Sequence, residues 1–294
     1  MTYSIAAHDA ETGELGVGVA THQPCVGAIV PWVEPGVGAV ATQSFVNPSF
    51  GPQALALLRH GLDAPRALAA VLAADDRPEV RQVAIVDATG KSAVHTGEAC
   101  IPYAGHRTGP GFSVQANMML RPTVPDAMAE AFAAAQGPLA LRILAALEAA
   151  EAEGGDIRGR QSAAIVVRRT ASASDYRWNL RVDNDPEPLA KLRELAAIRL
   201  AGALEEEFEE AQSGSPEERL ARARAAYAEA RAIHPSDEQS FWYAVMALAP
   251  LGAEEEAAAV LAPLFERAPH WRELLHRLSF GGLEGLKARF PRDR

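Results

Sequence analysis

Apolar and polar residues alternate along this chain with two different periods, and the change from one to the other predicts its elements. Tyr3-Ser4-Ile5-Ala6-Ala7-His8 and Leu15-Gly16-Val17-Gly18-Val19-Ala20-Thr21 read as two strands. The link Asp9-Ala10-Glu11-Thr12-Gly13 is turn-rich and of the hairpin kind. The strand glycines imply close backbone approach or thin packing on one face. Ala28-Ile29-Val30-Pro31-Trp32 and the small-residue run Gly36–Gln43 are two further strands, the second ended by the polar stretch Gln43–Ser49. A helical period follows: Pro52 suits a first turn, Leu55, Leu57 and Leu58 form a stripe, and Gly61 ends it. A second helix covers 64–74.

Strands return at 82–87 and 92–96, paired across Ala88-Thr89-Gly90-Lys91, and again near 111–117. Helices over about 123–135 and 137–152 stop at Gly154-Gly155, and strands at 163–167 and 178–182 close the set. Strands that come in pairs between helices argue for antiparallel sheets with helical layers outside, an α+β class. They argue against the βαβα rhythm of a doubly wound sheet.

From about residue 186 strand patterns vanish, and Ala, Glu, Leu and Arg dominate. Ala223, Tyr227, Ala230 and Pro235 recur 34 residues later as Ala257, Leu261, Leu264 and Pro269. That period and pattern are tetratricopeptide-like. Two repeats are fewer than the usual three, and Pro263 falls inside the second, so an ordinary helical hairpin stays open. The expected domains are 1–190 and a small all-α helical-repeat domain, 191–294.

Composition narrows the class. The 294 residues are 48% hydrophobic and 22% charged, a globular balance. No apolar run approaches the roughly 18 residues that span a bilayer. The N-terminus lacks the basic and apolar regions of a signal peptide, so the fold is expected to start at residue 2. Cys25 and Cys100 make neither a disulfide framework nor a zinc-finger spacing, which points to a reducing cytoplasm. A net charge of −10 argues against nucleic-acid and anionic-membrane partners.

The candidate chemistry starts at Met1-Thr2-Tyr3-Ser4. Removing Met1 would give Thr2 a free α-amine, and an N-terminal Thr carries nucleophile and general base in one residue. Many chains begin Met-Thr without chemical consequence, so neighbours decide. The returning strand of the hairpin ends at Thr21, which paired-strand spacing can bring beside Thr2. Thr42-Gln43-Ser44 offers backbone N–H groups for an oxyanion hole, and Asn47 a side-chain donor. Each also reads as ordinary strand or turn chemistry.

Gln115-Ala116-Asn117 ends a strand with two amides, and Gly155-Asp156-Ile157-Arg158-Gly159-Arg160-Gln161-Ser162 packs an acid and two arginines into one loop. Arg158 or Arg160 suits a substrate carboxylate; an Asp–Arg pair that orders the loop is the alternative. With His22, the residues Gln115, Asn117, Asp156, Arg158 and Arg160 form the candidate substrate-binding set. His22 with Cys25 also suggests a Cys–His nucleophile, though a loop fixes no geometry. The eight histidines have no metal-ligand spacing, and there is no phosphate loop and no nucleophile elbow. Gly-Val-Gly occurs only inside strand patterns, the wrong context for a dinucleotide. No metal or organic cofactor is expected.

Thr2-Tyr3-Ser4-Ile5-Ala6-Ala7-His8-Asp9, Gly38–Ser44, His95-Thr96-Gly97, Ala104-Gly105-His106, Val114–Met118 and Gly154–Ala164 together resemble a bacterial family known only as domain of unknown function number 1028. The resemblance covers about residues 2–190. That family is grouped with the N-terminal nucleophile (Ntn) hydrolases, which implies a four-layer αββα sandwich. It implies that Thr2 is the nucleophile. It also makes Thr21 the second-strand Thr of the asparaginase and transferase branches, orienting the amine, and makes Gln43-Ser44 the oxyanion-hole backbone.

Two departures stand out. Many such enzymes cut an internal bond, whereas here only Met1 need go; and the proteasome's strand lysine has no counterpart, the first Lys being Lys91. Ser4 is a second-choice nucleophile without a free amine. Residues 200–294 resemble a partner domain proposed to bind peptidoglycan, although Phe241-Trp242-Tyr243 and Trp271 equally suit a helical core. The expectation is a cytoplasmic amidohydrolase acting on a small polar amide, with homo-oligomers expected because Ntn folds often assemble. The competing readings are a catalytically silent scaffold whose helical tail binds peptide or glycan, and a helical module that only oligomerises the enzyme.

Overall fold

The structure, a computed structural model, describes residues 2–169, 178–210, 213–279 and 281–292. Two compact units divide at Ala196/Ala197.

The first unit is mixed α+β with two antiparallel sheets. Its strands are β1 (Thr2–His8), β2 (Leu15–Thr21), β3 (Pro31–Glu34), β4 (Gly38–Ser44), β5 (Arg81–Asp87), β6 (Ser92–Thr96), β7 (Gly105–Gly109), β8 (Phe112–Asn117), β9 (Ser162–Arg168) and β10 (Trp178–Val182). One sheet has the order β10-β9-β2-β1-β8-β7, the other β3-β4-β5-β6. The β1–β2 hairpin pairs Tyr3 with Ala20 and His8 with Leu15, and β1 also pairs Thr2 with Asn117 of β8. β1, β2 and β8 are interior strands buried over nearly their whole length, and β2 accordingly is an unbroken run of small and apolar residues up to Thr21. Ala6, Val17 and Val19 of one sheet pack with Ala39, Ala41 and Ala84 of the other in one fully buried cluster.

Helices α1 (Phe50–Arg59) and α2 (Ala64–Ala73) cover the other face of the four-stranded sheet, burying Phe50, Leu68 and Val71 on Val40, Val83 and Ile85. Local chemistry sets where α2 begins. The Asp63 side chain accepts from Arg66 N at 3.1 Å, and Asp87 at the end of β5 accepts from Ala64 N at 3.0 Å. Helices α3 (Val124–Ala134) and α4 (Leu139–Ala152) pack on the six-stranded sheet.

The glycines of β2 admit α4 at close range. A Cβ on Gly18 would lie 2.3 Å from Ile143 Cγ2, and one on Gly16 2.7 Å from Ile143 Cδ1. Gly18→Ala therefore forces α4 outward, with an expected loss of about 1–3 kcal/mol. Amide hydrogen exchange along β1 and β2 reads that loss in this unit alone; unchanged protection would mean the helix shifts at no cost.

Two details differ from the sequence pattern. The apolar stretch before Trp32 is divided: Val26–Ala28 forms a short 3-10 turn, and β3 starts only at Pro31, an edge position where a missing N–H is tolerated. β7 was not anticipated. It is the polar edge strand Gly105-His106-Arg107-Thr108-Gly109, which has no apolar alternation to betray it.

Helix α5 (Pro188–Glu210) begins in the first unit and ends in the second, which continues with α6 (Pro216–Ile233) and α7 (Asp237–Trp242). A π-helical stretch, Tyr243–Leu248, extends α7, and α8 (Glu254–Arg267), α9 (His270–Arg277) and α10 (Glu284–Arg289) follow. Ser215 and Glu218 cap α6 reciprocally, each side chain accepting the other's backbone N–H. Ala223, Ala230, Ala257, Leu261 and Leu264 are buried, and Pro235 and Pro269 lie in the links after α6 and α8. Phe241 is fully buried, with the rings of Trp242 and Trp271 at 5.2 and 4.9 Å from it, so these aromatics are packed together. No helix among the described residues is long and apolar enough to cross a membrane.

Candidate functional site

Side chains two apart on a strand share a face. Ala6 of β1, Val17 and Val19 of β2, Ala39 and Ala41 of β4, and Ala84 and Val86 of β5 belong to the core between the sheets. Towards the Thr2 end the same faces carry Ser4 and Thr2, Thr21, Gln43, and Gln82. β8 brings Ser113, Gln115 and Asn117 opposite Ala6, Ser4 and Thr2. The core thus turns from aliphatic to polar at one end, yet stays dry: Gln82 and Gln115 are 0% exposed, Gln43 and Asn117 1%, Thr21 3% and Thr2 6%.

Burial at this depth requires the polar groups to satisfy one another. Thr2 Oγ1 donates to Thr21 Oγ1 at 3.3 Å. The Thr2 carbonyl accepts from Gln43 Nε2 at 3.2 Å and from Asn117 Nδ2 at 3.3 Å. The same two amides donate to Gln82 Oε1, at 2.7 and 2.8 Å. Gln82 Nε2 in turn donates to Ala116 O and Thr96 Oγ1, both at 2.9 Å, and to Gly105 O at 3.2 Å. Gln115 Nε2 donates to Ser4 Oγ, and Ser113 Oγ to Gln115 Oε1. Among the described residues Gln43 Oε1 has no partner, a cost of about 1–3 kcal/mol that a purely structural core would avoid.

Thr96 links this network to a histidine. Its Oγ1 accepts from Gln82 and lies 2.9 Å from His106 Nδ1, to which it donates when that nitrogen is unprotonated. Burial, Arg107 and His95 all lower the His106 pKa and favour that neutral ring.

The backbone is also unusual here. Among the described residues the non-glycines with left-handed φ are Cys25 (59°), Ser44 (71°) and Met118 (58°). Ser44 follows Gln43, Met118 follows Asn117, and Cys25 lies in the loop after Thr21. Such residues are held by their surroundings and gather at functional sites.

A second cluster adjoins Thr21. Asp156 accepts His22 N at 3.0 Å, Arg158 N at 2.9 Å, and Arg158 Nε and Nη2 at 3.2 and 2.9 Å. Burial pushes the Asp156 carboxyl up, but the Arg158 guanidinium and the N–H groups of Arg158 and His22 outweigh it and hold it below the usual carboxylate range. A depressed folded pKa gives stability that is complete above the unfolded value near 3.9 and is lost as pH falls through the folded one. Asp156→Asn is therefore expected to cost about 2 kcal/mol at neutral pH. The gap to the native chain should narrow below about pH 4. Urea unfolding at pH 7 and pH 3 checks it, and a pH-independent gap refutes the assignment.

The remaining candidates are placed as follows. His22 Nδ1 meets the Arg160 carbonyl at 3.2 Å. Arg160 bridges Glu151 and Glu187, and Glu151 also accepts the Tyr3 hydroxyl on the far face of β1. Both arginines thus already have carboxylate partners. Asn47 donates to Asp75 at 3.1 Å and accepts from Ser49, so its amide orders the loop after β4. Lys91 pairs with Asp63, away from Thr2. Thr2, Thr21, Gln43, Gln115 and Asn117 come together, while Asn47 and Arg160 belong to neighbouring clusters. Met1, whose removal the Thr2 chemistry requires, lies outside the described residues. The hub of the network, Gln82, was missed in the sequence; its only trace there is an amide heading the apolar run Val83-Ala84-Ile85-Val86. Among the described residues no group of His, Cys, Asp and Glu is placed to hold a metal ion.

The family model described as a family of unknown function, DUF1028, matches residues 2–192. The crystal structure of a DUF1028 protein from Silicibacter pomeroyi is 33% identical, with a TM-score of 0.60 over 66% of this chain and 87% of that one. Anbu, an ancestral beta-subunit from Yersinia bercovieri, aligns at 12% identity and a TM-score of 0.34 over 72% of this chain and 98% of that one, too faint a likeness to bear on fold or function. No curated protein matches the chain.

Proposed function

The chain belongs to the DUF1028 family of unknown function, and from that footing we propose that it is an N-terminal nucleophile amidohydrolase whose nucleophile is Thr2, freed by removal of Met1. The observation that carries this reading is the buried Thr2–Thr21 hydroxyl pair at the head of β1, with the Thr2 carbonyl gripped by two amides. Purely structural strand ends rarely bury so many polar groups, because each must find a partner. In this reading the first unit is a four-layer αββα sandwich of the Ntn type, with α1/α2 and α3/α4 as its outer layers. The second unit is a tetratricopeptide-like pair of helical hairpins, supported by its buried positions 34 residues apart.

The mechanism follows from the groups present. The Thr2 amine takes the proton of Oγ1 as Oγ1 attacks the carbonyl carbon of an amide. Thr21 Oγ1, 3.3 Å away, holds the hydroxyl in place. The negative charge that develops on the carbonyl oxygen is met by backbone N–H at Ser44, whose left-handed φ of 71° turns the peptide where β4 ends. The C–N bond then breaks, the amine returns its proton to the leaving nitrogen, and an acyl ester remains on Thr2. Water, deprotonated by the same amine, releases the acid. Gln43, Gln82 and Asn117 act as positioning residues.

The test is intact mass and N-terminal sequencing of untagged protein, followed by treatment with a β-lactone and peptide mapping. Ring opening breaks the acyl C–O bond of the lactone, esterifies Thr2 Oγ1 and leaves the proton on the freed hydroxyl. A chain that starts at Thr2 and is acylated there supports the reading, and a chain that retains Met1 overturns it.

A further inference from the structure

We infer that the site at the Thr2 end takes a neutral amide bearing an apolar group, arylalkyl or branched alkyl, next to the scissile carbonyl; the inference rests on the nucleophile reading above and names its substrate class. The large hydrophobic side chains exposed among the described residues are Phe45, Val46, Tyr103, Leu120, Ile157, Ile198 and Met246. Three of the first five follow strands of the site. Phe45 and Val46 leave β4 directly after Gln43-Ser44, and Leu120 follows Asn117 by three residues.

Backbone bonds lay the other segments beside Leu120. Leu120 N donates to Gly155 O at 2.9 Å, Ile157 N to Met118 O at 3.3 Å, and Met119 N to Tyr103 O at 3.3 Å. Arg81 holds the Phe45 carbonyl, and Phe45 N reaches Val80 O at 3.4 Å. These five side chains are 37–56% exposed although the backbone beneath four of them is bonded in place. An ordered, water-facing set of apolar side chains in segments adjoining the strands that carry the buried Thr2 network is a recognition surface.

Charge points the same way. The Thr2 network is made of amides and hydroxyls, which carry no net charge. The ionic groups around it are already matched: Asp156 with Arg158, Arg160 with Glu151 and Glu187, Asp75 with Arg81. A charged substrate has to desolvate against apolar side chains or break one of these pairs. A neutral substrate with an apolar group loses nothing and buries that group.

The experiment compares two β-lactones with the same ring, one bearing a benzyl and one a carboxymethyl group, by their rates of Thr2 acylation in the untagged full chain. The benzyl lactone is expected to react at least about tenfold faster, the discrimination that one apolar group typically brings. A Leu120→Ser/Ile157→Ser variant should lose most of that preference. Equal rates, or a faster carboxymethyl lactone, overturn the inference.

If neither lactone labels Thr2, the nucleophile reading fails, and binding then judges the substrate class alone. Saturation-transfer NMR compares phenylacetamide with succinamate: binding at least about tenfold tighter for phenylacetamide upholds the inference, and no preference refutes it. Should the double variant keep its preference but convert a sedimenting dimer to monomer, this apolar surface is an interface between copies and the inference is wrong.

Discussion

Replacing Thr2 with Ala is expected to abolish acylation by a β-lactone, with the rate falling about a thousandfold or more to the background of other hydroxyls. The substitution removes one hydroxyl whose partner is another hydroxyl, so the fold survives and the loss is chemical. Thr2→Ser keeps both hydroxyl and amine, and its rate stays within about tenfold of the native chain. The rate should also climb with pH through about 8, where an α-amine gives up its proton and becomes a base. Intact mass against time, at several pH values, measures all three. Undiminished labelling of Thr2→Ala removes Thr2 from the mechanism. Ser4 is a poor substitute, since it is fully buried and its oxygen accepts from Gln115.

Gln82→Leu should unfold the first unit more readily than any other single change at the site. Leu has nearly the right volume but no polar atoms. Gln43 and Asn117 lose their shared acceptor and the Ala116 carbonyl its donor in a dry interior, and the partly buried Thr96 Oγ1 and Gly105 carbonyl lose theirs. Stranding several buried groups costs more than the hydrogen bonds themselves were worth, and about 3–5 kcal/mol is expected. Hydrogen exchange along β4, β5 and β8 reads the loss locally. A change under about 1 kcal/mol would mean that the neighbours find other partners and Gln82 is no hub. Gln43→Leu should cost less, because its Oε1 has no partner among the described residues.

Local order was legible in the sequence, and much of the chemistry was not. Hairpin logic places Thr21 beside Thr2, and the two hydroxyls lie 3.3 Å apart because the register that pairs Tyr3 with Ala20 leaves no alternative. Strands buried on both faces announce themselves by small and branched residues, as β2 and β5 do. β7 does not, because an edge strand of polar residues has no buried face to enforce a pattern. Gln82 escaped for a different reason. Its partners Gln43, Asn117 and Thr96 are 39, 35 and 14 residues away, and one amide at the head of an apolar strand says nothing of what it will meet. Asp156 and Arg158 are close in sequence and do pair, whereas the second partner of Arg160, Glu187, is distant.

Gln43 and Asn117 hold Thr2 by its carbonyl, on the side of the residue that faces the rest of the chain. Whatever is attached ahead of Thr2 leaves that grip intact. An affinity tag fused at the N-terminus is therefore expected to yield protein that purifies well, melts normally and is chemically dead. Inactivity of such a preparation would say nothing against an enzyme, and the same preparation serves as a folded, inert control beside material whose chain starts at Thr2.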